Sequence, residues 1–108
     1  MFGSPKTKDL TADQVKTALD AQEILLVDVR EPAEFAAERI SGAVNVPLSS
    51  FDPKALPHAE GKTLVLQCGS GKRSATAVDH CQKAGLVIDT HLTGGIAAWK
   101  AAGLPTVR

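Results

Sequence analysis

The chain has 108 residues, 44% of them hydrophobic and 22% charged, which is enough for one domain whose core needs no disulfide or metal. Its 12 Lys and Arg residues balance its 12 Asp and Glu residues, so bulk charge does not indicate a nucleic-acid or membrane partner. Two cysteines exclude a disulfide scaffold, and no apolar run approaches the roughly 20 residues of a membrane span.

The N-terminal stretch is polar and leads into the first predicted helix. Residues 1–6 lack the apolar core of a signal peptide, so we expect a cytoplasmic protein, although a chain that had lost a leader would begin in the same way. Residues 1–9 are predicted to form a flexible N-terminal arm ahead of a single domain over residues 10–108. The first helix begins after Thr11, because Thr11 and Gln14 match a capping box.

Apolar runs then alternate with helical patterns along the rest of the chain. The run at 24–27 is continuously apolar, as in a strand that is buried on both faces of a parallel sheet. We predict further strands at 44–46, 63–67 and 86–92, and helices at 32–38, 75–84 and 96–102. This alternation predicts an α/β fold with a mainly parallel central sheet of about five strands and helices on both faces. In such sheets the functional site lies at the carboxyl ends of the strands.

A cysteine loop, defined here as residues 68–74, carries the most informative chemistry. Its sequence is Cys-Gly-Ser-Gly-Lys-Arg-Ser, and it connects a predicted buried strand to a predicted helix. The unpaired amides of a helix N-terminus and the successive amides of a tight loop both attract a negatively charged group. Its glycines permit a tight curl, and Lys72 and Arg73 add two positive charges. These features favour a thiolate and predict Cys68 as a nucleophile.

The second cysteine, Cys81, has different surroundings. It shares an apolar helical face with Ala77, Val78 and Ala84, which is typical of a core residue. It also lies roughly 12 Å along the helix from Arg73. A disulfide needs Cα atoms within about 7 Å of each other, so Cys81 is a poor resolving partner for Cys68.

Four pieces of the sequence resemble the rhodanese family of sulfurtransferases and occur in the family's order. The loop piece is Cys68-x-x-Gly71-x-Arg73-Ser74, and the other pieces are Asp-Val-Arg-Glu-Pro-Ala-Glu-Phe at 28–35, Ile-Ser-Gly-Ala-Val-Asn-Val-Pro at 40–47 and Thr-Gly-Gly-Ile-Ala-Ala-Trp at 93–99. The resemblance implies the rhodanese fold and a sulfur transfer through a persulfide on Cys68. It implies a sulfur donor such as thiosulfate, a thiol or sulfur-carrier protein as acceptor (cyanide in vitro), and neither cofactor nor metal.

The resemblance also implies roles within the cysteine loop. Substrate and persulfide would bind among Gly69, Ser70, Gly71, Lys72, Arg73 and Ser74. Arg73 would close the loop, and Lys72 is the more exposed candidate for holding an incoming anion. Ser74 is either a cap at the helix start or a hydroxyl donor to sulfur. Asp28 and Arg30 are candidate supporting residues near the site.

Several features remain open at this stage. For Arg30, Glu31 and Glu34, a salt-bridged surface turn explains the sequence as well as a catalytic role does. Glu34 also stands where mercaptopyruvate-using relatives tend to carry arginine, which disfavours that substrate. No ligand or base spacing connects the three histidines, so we assign no metal and no histidine base to His58, His80 and His91.

Three other functions compete with a sulfurtransferase. Cysteine-dependent phosphatases use Cys-x5-Arg, whereas this chain has Cys-x4-Arg, which makes a ring better matched to sulfur than to phosphate. A nucleotide P-loop needs Gly-x4-Gly-Lys-Ser/Thr, and that spacing is absent. A non-catalytic docking module commonly loses the cysteine, so the presence of Cys68 favours an enzyme.

Overall fold

The computed structural model describes residues 7–57 and 59–108, and within them five strands alternate with four α-helices. The strands are β1 (Lys8–Leu10), β2 (Ile24–Asp28), β3 (Val44–Asn45), β4 (Thr63–Gln67) and β5 (Thr90–Leu92). The helices are α1 (Ala12–Asp20), α2 (Pro32–Ala37), α3 (Lys72–Lys83) and α4 (Gly95–Ala101). Two short 3-10 turns, Leu48–Ser50 and Pro53–Ala55, lie between β3 and β4.

All paired strands in the sheet are parallel, in the order β1-β5-β4-β2-β3. The predicted α/β class and the parallel sheet of about five strands are therefore confirmed. β4 and β2 are adjacent inner strands, and their carboxyl ends lie side by side because Asp28 is in register with Gln67. Cys68 follows Gln67 directly, so the cysteine loop leaves the sheet at the carboxyl edge, as predicted for a functional site in such a fold.

Side chains of successive strand residues point to opposite faces of the sheet and pack into two clusters. The first cluster joins the sheet to α1 and α4 and contains Ala12, Val15, Ile24, Leu26, Ile40, Val65, Leu92, Ile96 and Trp99. The second cluster joins the sheet to α3 and contains Val27, Val29, Leu66, Cys68, Ala77, Val78 and Cys81. Helices therefore cover both faces, as the sequence predicted.

The capping box at the start of α1 is present. The backbone N–H of Gln14 donates to Thr11 Oγ1 at 3.2 Å, and the backbone N–H of Thr11 donates to Gln14 Oε1 at 2.9 Å. These two bonds satisfy donors that a helix start leaves without partners. None of the helices described here is long and apolar enough to cross a bilayer.

The prediction of a flexible arm over residues 1–9 is wrong at the end nearest the domain. Lys8–Leu10 form β1, which pairs with β5, and the backbone N–H of Lys8 donates to the carbonyl of Asp89 at 2.8 Å. Residues 1–6 lie outside the described part of the chain. The sequence did not indicate β1 because its residues are mostly exposed and it is held by backbone hydrogen bonds along a sheet edge.

The predicted strand over 86–92 is also too long, since β5 begins only at Thr90. The preceding apolar residues belong to the connection after α3, where Gly85 adopts φ +82° and the backbone N–H of Leu86 donates to the carbonyl of Cys81. Leu86 and Ile88 pack against the second cluster, whereas Val87 is 96% exposed. The apolar run therefore covers the core as a loop.

Candidate active site

Cys68 is buried directly after β4, and the cysteine loop folds back over its sulfur. The backbone N–H of Gly71 donates to Cys68 Sγ at 3.0 Å. Gly71 has φ +103°, a backbone conformation that residues with a Cβ rarely adopt. A donor at this distance stabilises a sulfur anion more than a neutral thiol, because hydrogen bonds to charged acceptors are stronger.

Helix α3 begins earlier than the sequence indicated. It starts at Lys72 and not at residue 75, so Lys72, Arg73 and Ser74 form its first turn. The backbone N–H groups of a first turn have no carbonyl partner within the helix. The positive end of a twelve-residue helix thus lies beside Cys68, with the dipole oriented to favour negative charge.

The start of α4 supports the cysteine loop from behind. The backbone N–H groups of Ile96 and Ala97 donate to the carbonyls of Cys68 and Gly69, at 2.8 and 3.1 Å. This approach requires glycine at position 95, because a Cβ there would lie 2.3 Å from the Cys68 carbonyl oxygen. Gly95, the first residue of α4, is therefore a steric requirement of the cysteine loop.

Arg73 lies across the rim of the loop and pairs with Glu34 from α2. Its Nη1 is 2.7 Å from Glu34 Oε1 and its Nη2 is 3.1 Å from Glu34 Oε2. The guanidinium also lies against Gly69, where an added Cβ would be 3.0 Å from Nη2. The hydrogen bond from Arg73 lowers the pKa of Glu34 to about 2. Much of the charge of Arg73 is thus balanced by Glu34, whereas Lys72 is exposed and has no ion-pair partner among the described residues.

Asp28 and Arg30 form a buried ion pair at the end of β2. Arg30 Nη2 donates to Asp28 Oδ2 at 2.8 Å and to the carbonyl of Glu38 at 2.7 Å. The surface-turn interpretation is therefore wrong for Arg30, because its side chain is buried together with that of Asp28. Arg30 thereby ties the end of β2 to the residue that follows α2, the helix that carries Glu34.

A chain of polar side chains leads away from Cys68, and sequence reasoning missed it. Cys68 Sγ is 3.6 Å from Ser74 Oγ, Ser74 Oγ is 2.8 Å from His91 Nδ1, and His91 Nε2 is 2.9 Å from Asp9 Oδ1. Ser74 Oγ also lies 3.1 Å from the carbonyl oxygen of Gly71. Ser74 is the hydroxyl against the sulfur, and His91, to which the sequence analysis assigns no base role, lies next to Ser74 in this chain.

Local sequence patterns do not indicate the contacts of His91, because its partners are distant in sequence. Asp9 lies on β1, where the sequence predicts a flexible arm, and only the β1–β5 pairing brings it to His91. The available signal was a polar residue inside an apolar strand next to the strand of Cys68. His80 is exposed on α3, and His58 lies outside the described residues.

Cys81 is buried within the second cluster, as predicted for a core residue. Burial raises the pKa of its thiol to about 11. Both cysteines are free thiols. Across residues 7–57 and 59–108, no three His, Cys, Asp or Glu side chains are grouped as metal ligands.

Comparison with known proteins gives consistent matches. The family model for the Rhodanese-like domain matches residues 11–102. An uncharacterized protein of Synechocystis, slr1261, is 47% identical over 109 aligned residues, which cover all of this chain and 61% of that protein. A protein named sulfurtransferase from Allochromatium vinosum is 35% identical over 88 residues, covering 82% of each chain.

A solved structure gives the same result for the fold. The crystal structure of a rhodanese-related protein from Thermoplasma volcanium superposes with a TM-score of 0.78 at 29% identity. The match covers 93% of this chain and 97% of that one. The chain spans less than two thirds of the Synechocystis relative and most of the other two proteins.

Proposed function

Because the chain belongs to the rhodanese-like family, we propose that it is a sulfurtransferase that carries sulfur on Cys68. The observation that carries this proposal is the position of Cys68 Sγ, which receives the Gly71 N–H and lies beside the N-terminus of α3. Such surroundings suit a sulfur that is negatively charged both before and after it accepts a second sulfur. Thiosulfate or a persulfide is the proposed donor.

In the first transfer the thiolate of Cys68 attacks the outer sulfur of thiosulfate. A bond forms between the two sulfurs, the bond to the sulfite sulfur breaks, and sulfite leaves with the electron pair. Cys68 then carries a persulfide with one negative charge. We propose that the amides of the cysteine loop and of the first turn of α3 stabilise this charge, as an oxyanion hole stabilises oxygen.

In the second transfer a nucleophile removes the outer sulfur. Cyanide does this in vitro and forms thiocyanate, while a thiol or a sulfur-carrier protein is the proposed acceptor in the cell. The electron pair of the broken bond returns to Cys68, and the group that stabilised the thiolate at the start now stabilises it as a leaving group. Every step is completed without a redox cofactor.

Donor preference follows from the charges at the rim. Lys72 is an exposed cation at the start of α3 and is the proposed contact for a dianion such as thiosulfate. Glu34 is held ionised and occupies both Nη atoms of Arg73, so this guanidinium is already engaged and does not offer a partner to the carboxylate of mercaptopyruvate. We therefore propose thiosulfate or a persulfide over mercaptopyruvate.

The proposal is tested by incubating the protein with thiosulfate and measuring its intact mass. We expect one added sulfur, located on Cys68 by peptide mapping and removed again by cyanide. The Cys68→Ser variant is the matched control and should gain no mass. An adduct on Cys81 would show that Cys81, and not Cys68, is the nucleophile. If the folded protein has a free Cys68 thiol and forms no adduct, the docking-module interpretation is favoured.

A further inference from the structure

Resting on the proposed function, we infer that Ser74, His91 and Asp9 form a proton relay that converts the Cys68 thiol into the thiolate. The relay joins three elements, because Ser74 is on α3, His91 on β5 and Asp9 on β1. Its links measure 3.6, 2.8 and 2.9 Å from the sulfur outward. Ser74 contacts the reacting sulfur, whereas His91 and Asp9 are positioning residues that act through it.

The direction of the relay follows from which atoms can donate. The Asp9 carboxylate only accepts hydrogen bonds, so the proton of a neutral His91 ring lies on Nε2. His91 Nδ1 is then an acceptor and receives the Ser74 hydroxyl, which is closer to it (2.8 Å) than to the Gly71 carbonyl (3.1 Å). The lone pairs of Ser74 Oγ remain for the thiol proton of Cys68.

Proton transfer along this path balances without a further reactant. The S–H bond of Cys68 breaks and its electron pair stays on sulfur. That proton passes to Ser74 Oγ while the proton of Ser74 passes to His91 Nδ1. The product is a thiolate that accepts from the Ser74 hydroxyl, next to an imidazolium that donates through both nitrogens to Ser74 and Asp9.

The surrounding charges favour that product. His91 is buried, with 9% of its side chain exposed, and a buried imidazolium needs a partner such as Asp9. A hydrogen bond from Thr7, and to a lesser degree the contact with His91, lowers the pKa of Asp9, so that this partner stays ionised. Arg73 interacts electrostatically with Cys68, and its positive charge favours the thiolate, although Arg73 also interacts with Glu34 and Asp28.

If the role of His91 is purely structural, it forms hydrogen bonds with Ser74 and Asp9 without exchanging a proton. One substitution separates this structural role from a role in proton transfer. His91→Asn keeps an acceptor for the Ser74 hydroxyl but cannot be protonated. If the role is structural, this variant should behave as the parent does. If the relay operates, the Cys68 thiolate of His91→Asn should form only at a higher pH than in the parent.

The readout is the rate at which iodoacetamide alkylates Cys68, measured against pH in a Cys81→Ser background. We expect His91→Asn and Ser74→Ala to slow alkylation at neutral pH by roughly tenfold and to move the profile to higher pH, since one unit of titration is a tenfold change in thiolate. Asp9→Asn should shift it less in the same direction. His80→Asn, which removes an exposed histidine on α3, is the matched control.

The side chain of Asp9 is 58% exposed, so we expect Asp9→Asn to fold. This variant can therefore test the relay even if His91→Asn unfolds. Unchanged alkylation profiles in folded His91→Asn or Asp9→Asn would overturn the relay. The measurement does not use sulfur transfer. A missing thiosulfate adduct with a His91-dependent profile would therefore refute the proposed function alone, and an adduct with a His91-independent profile would refute the relay alone.

Discussion

The two cysteines lie close to opposite ends of α3, both buried and both in the second cluster, yet their surroundings differ. Cys68 receives a backbone N–H and contacts a hydroxyl that leads to His91. Cys81 is placed among apolar side chains, and burial raises the pKa of its thiol to about 11. The comparison teaches that burial alone does not describe the surroundings of a thiol, and we expect the donors directed at each sulfur to set its reactivity.

The largest expected effect comes from exchanging each sulfur for oxygen in turn. Cys68→Ser should lower thiocyanate formation from thiosulfate and cyanide by at least about a thousandfold, because loss of a nucleophile removes the covalent path. Cys81→Ser should keep most of the activity. Its hydroxyl enters an apolar cluster, so we expect a cost of about 1 to 3 kcal/mol in the free energy of unfolding.

Both variants should be assayed well below their unfolding temperatures, with circular dichroism as the check of folding. Equal losses of activity in two folded variants would contradict the contrast between the cysteines. A stable, inactive Cys81→Ser would show that the core position contributes to transfer directly.

Local patterns in the sequence were sufficient to predict the different surroundings of the two cysteines and most of the fold. The capping box at Thr11, the glycine after α3 and the apolar stripe around Cys81 each depend on residues close in sequence. The Cys-Gly-rich loop between a strand and a helix likewise predicted that a helix N-terminus would lie at Cys68.

The parts that sequence did not predict depend on contacts between distant segments. β1 is held by backbone bonds to β5, which no side-chain pattern encodes, and the Asp9–His91 contact exists only through that pairing. The pairing of Arg73 with Glu34 joins residues 39 positions apart. The Gly-Gly turn was predicted, but its contact with the Cys68 carbonyl needed the tertiary structure.

The next largest effect tests whether the backbone behind Cys68 is as constrained as the contact suggests. Gly95→Ala should lower the free energy of unfolding by about 3 to 5 kcal/mol, because its Cβ would meet the Cys68 carbonyl oxygen at 2.3 Å and the residue has φ +60°. Chemical denaturation measures this loss, and sulfur transfer should fall with it if the protein folds.

Gly85 is the matched control at the Cys81 end of α3. It also has a positive φ, +82°, but an added Cβ there meets no atom within 4 Å. Gly85→Ala should therefore cost only the backbone strain, about 1 to 2 kcal/mol. Similar losses for the two variants would mean that strain and not the close approach explains the glycine at 95.

A smaller effect is expected from removing the cation at the Cys68 end of α3. Lys72→Ala should raise the KM for thiosulfate by roughly threefold to tenfold, with kcat less affected, since an exposed charge contributes about 1 kcal/mol to capture of a dianion. Added salt should weaken thiosulfate binding by the parent more than thiosulfate binding by the variant. Lys83→Ala removes one charge at the other end of the helix, and it should leave KM unchanged. A KM that is insensitive to Lys72 would place anion capture elsewhere.

The smallest effect concerns the ion pair at the rim of the cysteine loop, and its sign follows from the pKa of Glu34. Folding lowers that pKa from 4.5 to about 2, so the folded state binds fewer protons than the unfolded chain between these values. The stabilisation is therefore complete above about pH 5 and is lost as the pH falls through 2. Both side chains are more than a third exposed, so screening limits it to less than about 1 kcal/mol.

Glu34→Gln is the variant that measures this contribution. It should unfold more easily than the parent at pH 7, and the difference in the free energy of unfolding should disappear near pH 2, where Glu34 in the parent becomes protonated. Lys16 and Asp20 form an exposed ion pair on α1, far from the cysteine loop in sequence, and Asp20→Asn provides the control for a pair of this kind. A difference for Glu34→Gln that persisted undiminished at pH 2 would mean that packing of the side chain, and not its charge, stabilises the rim.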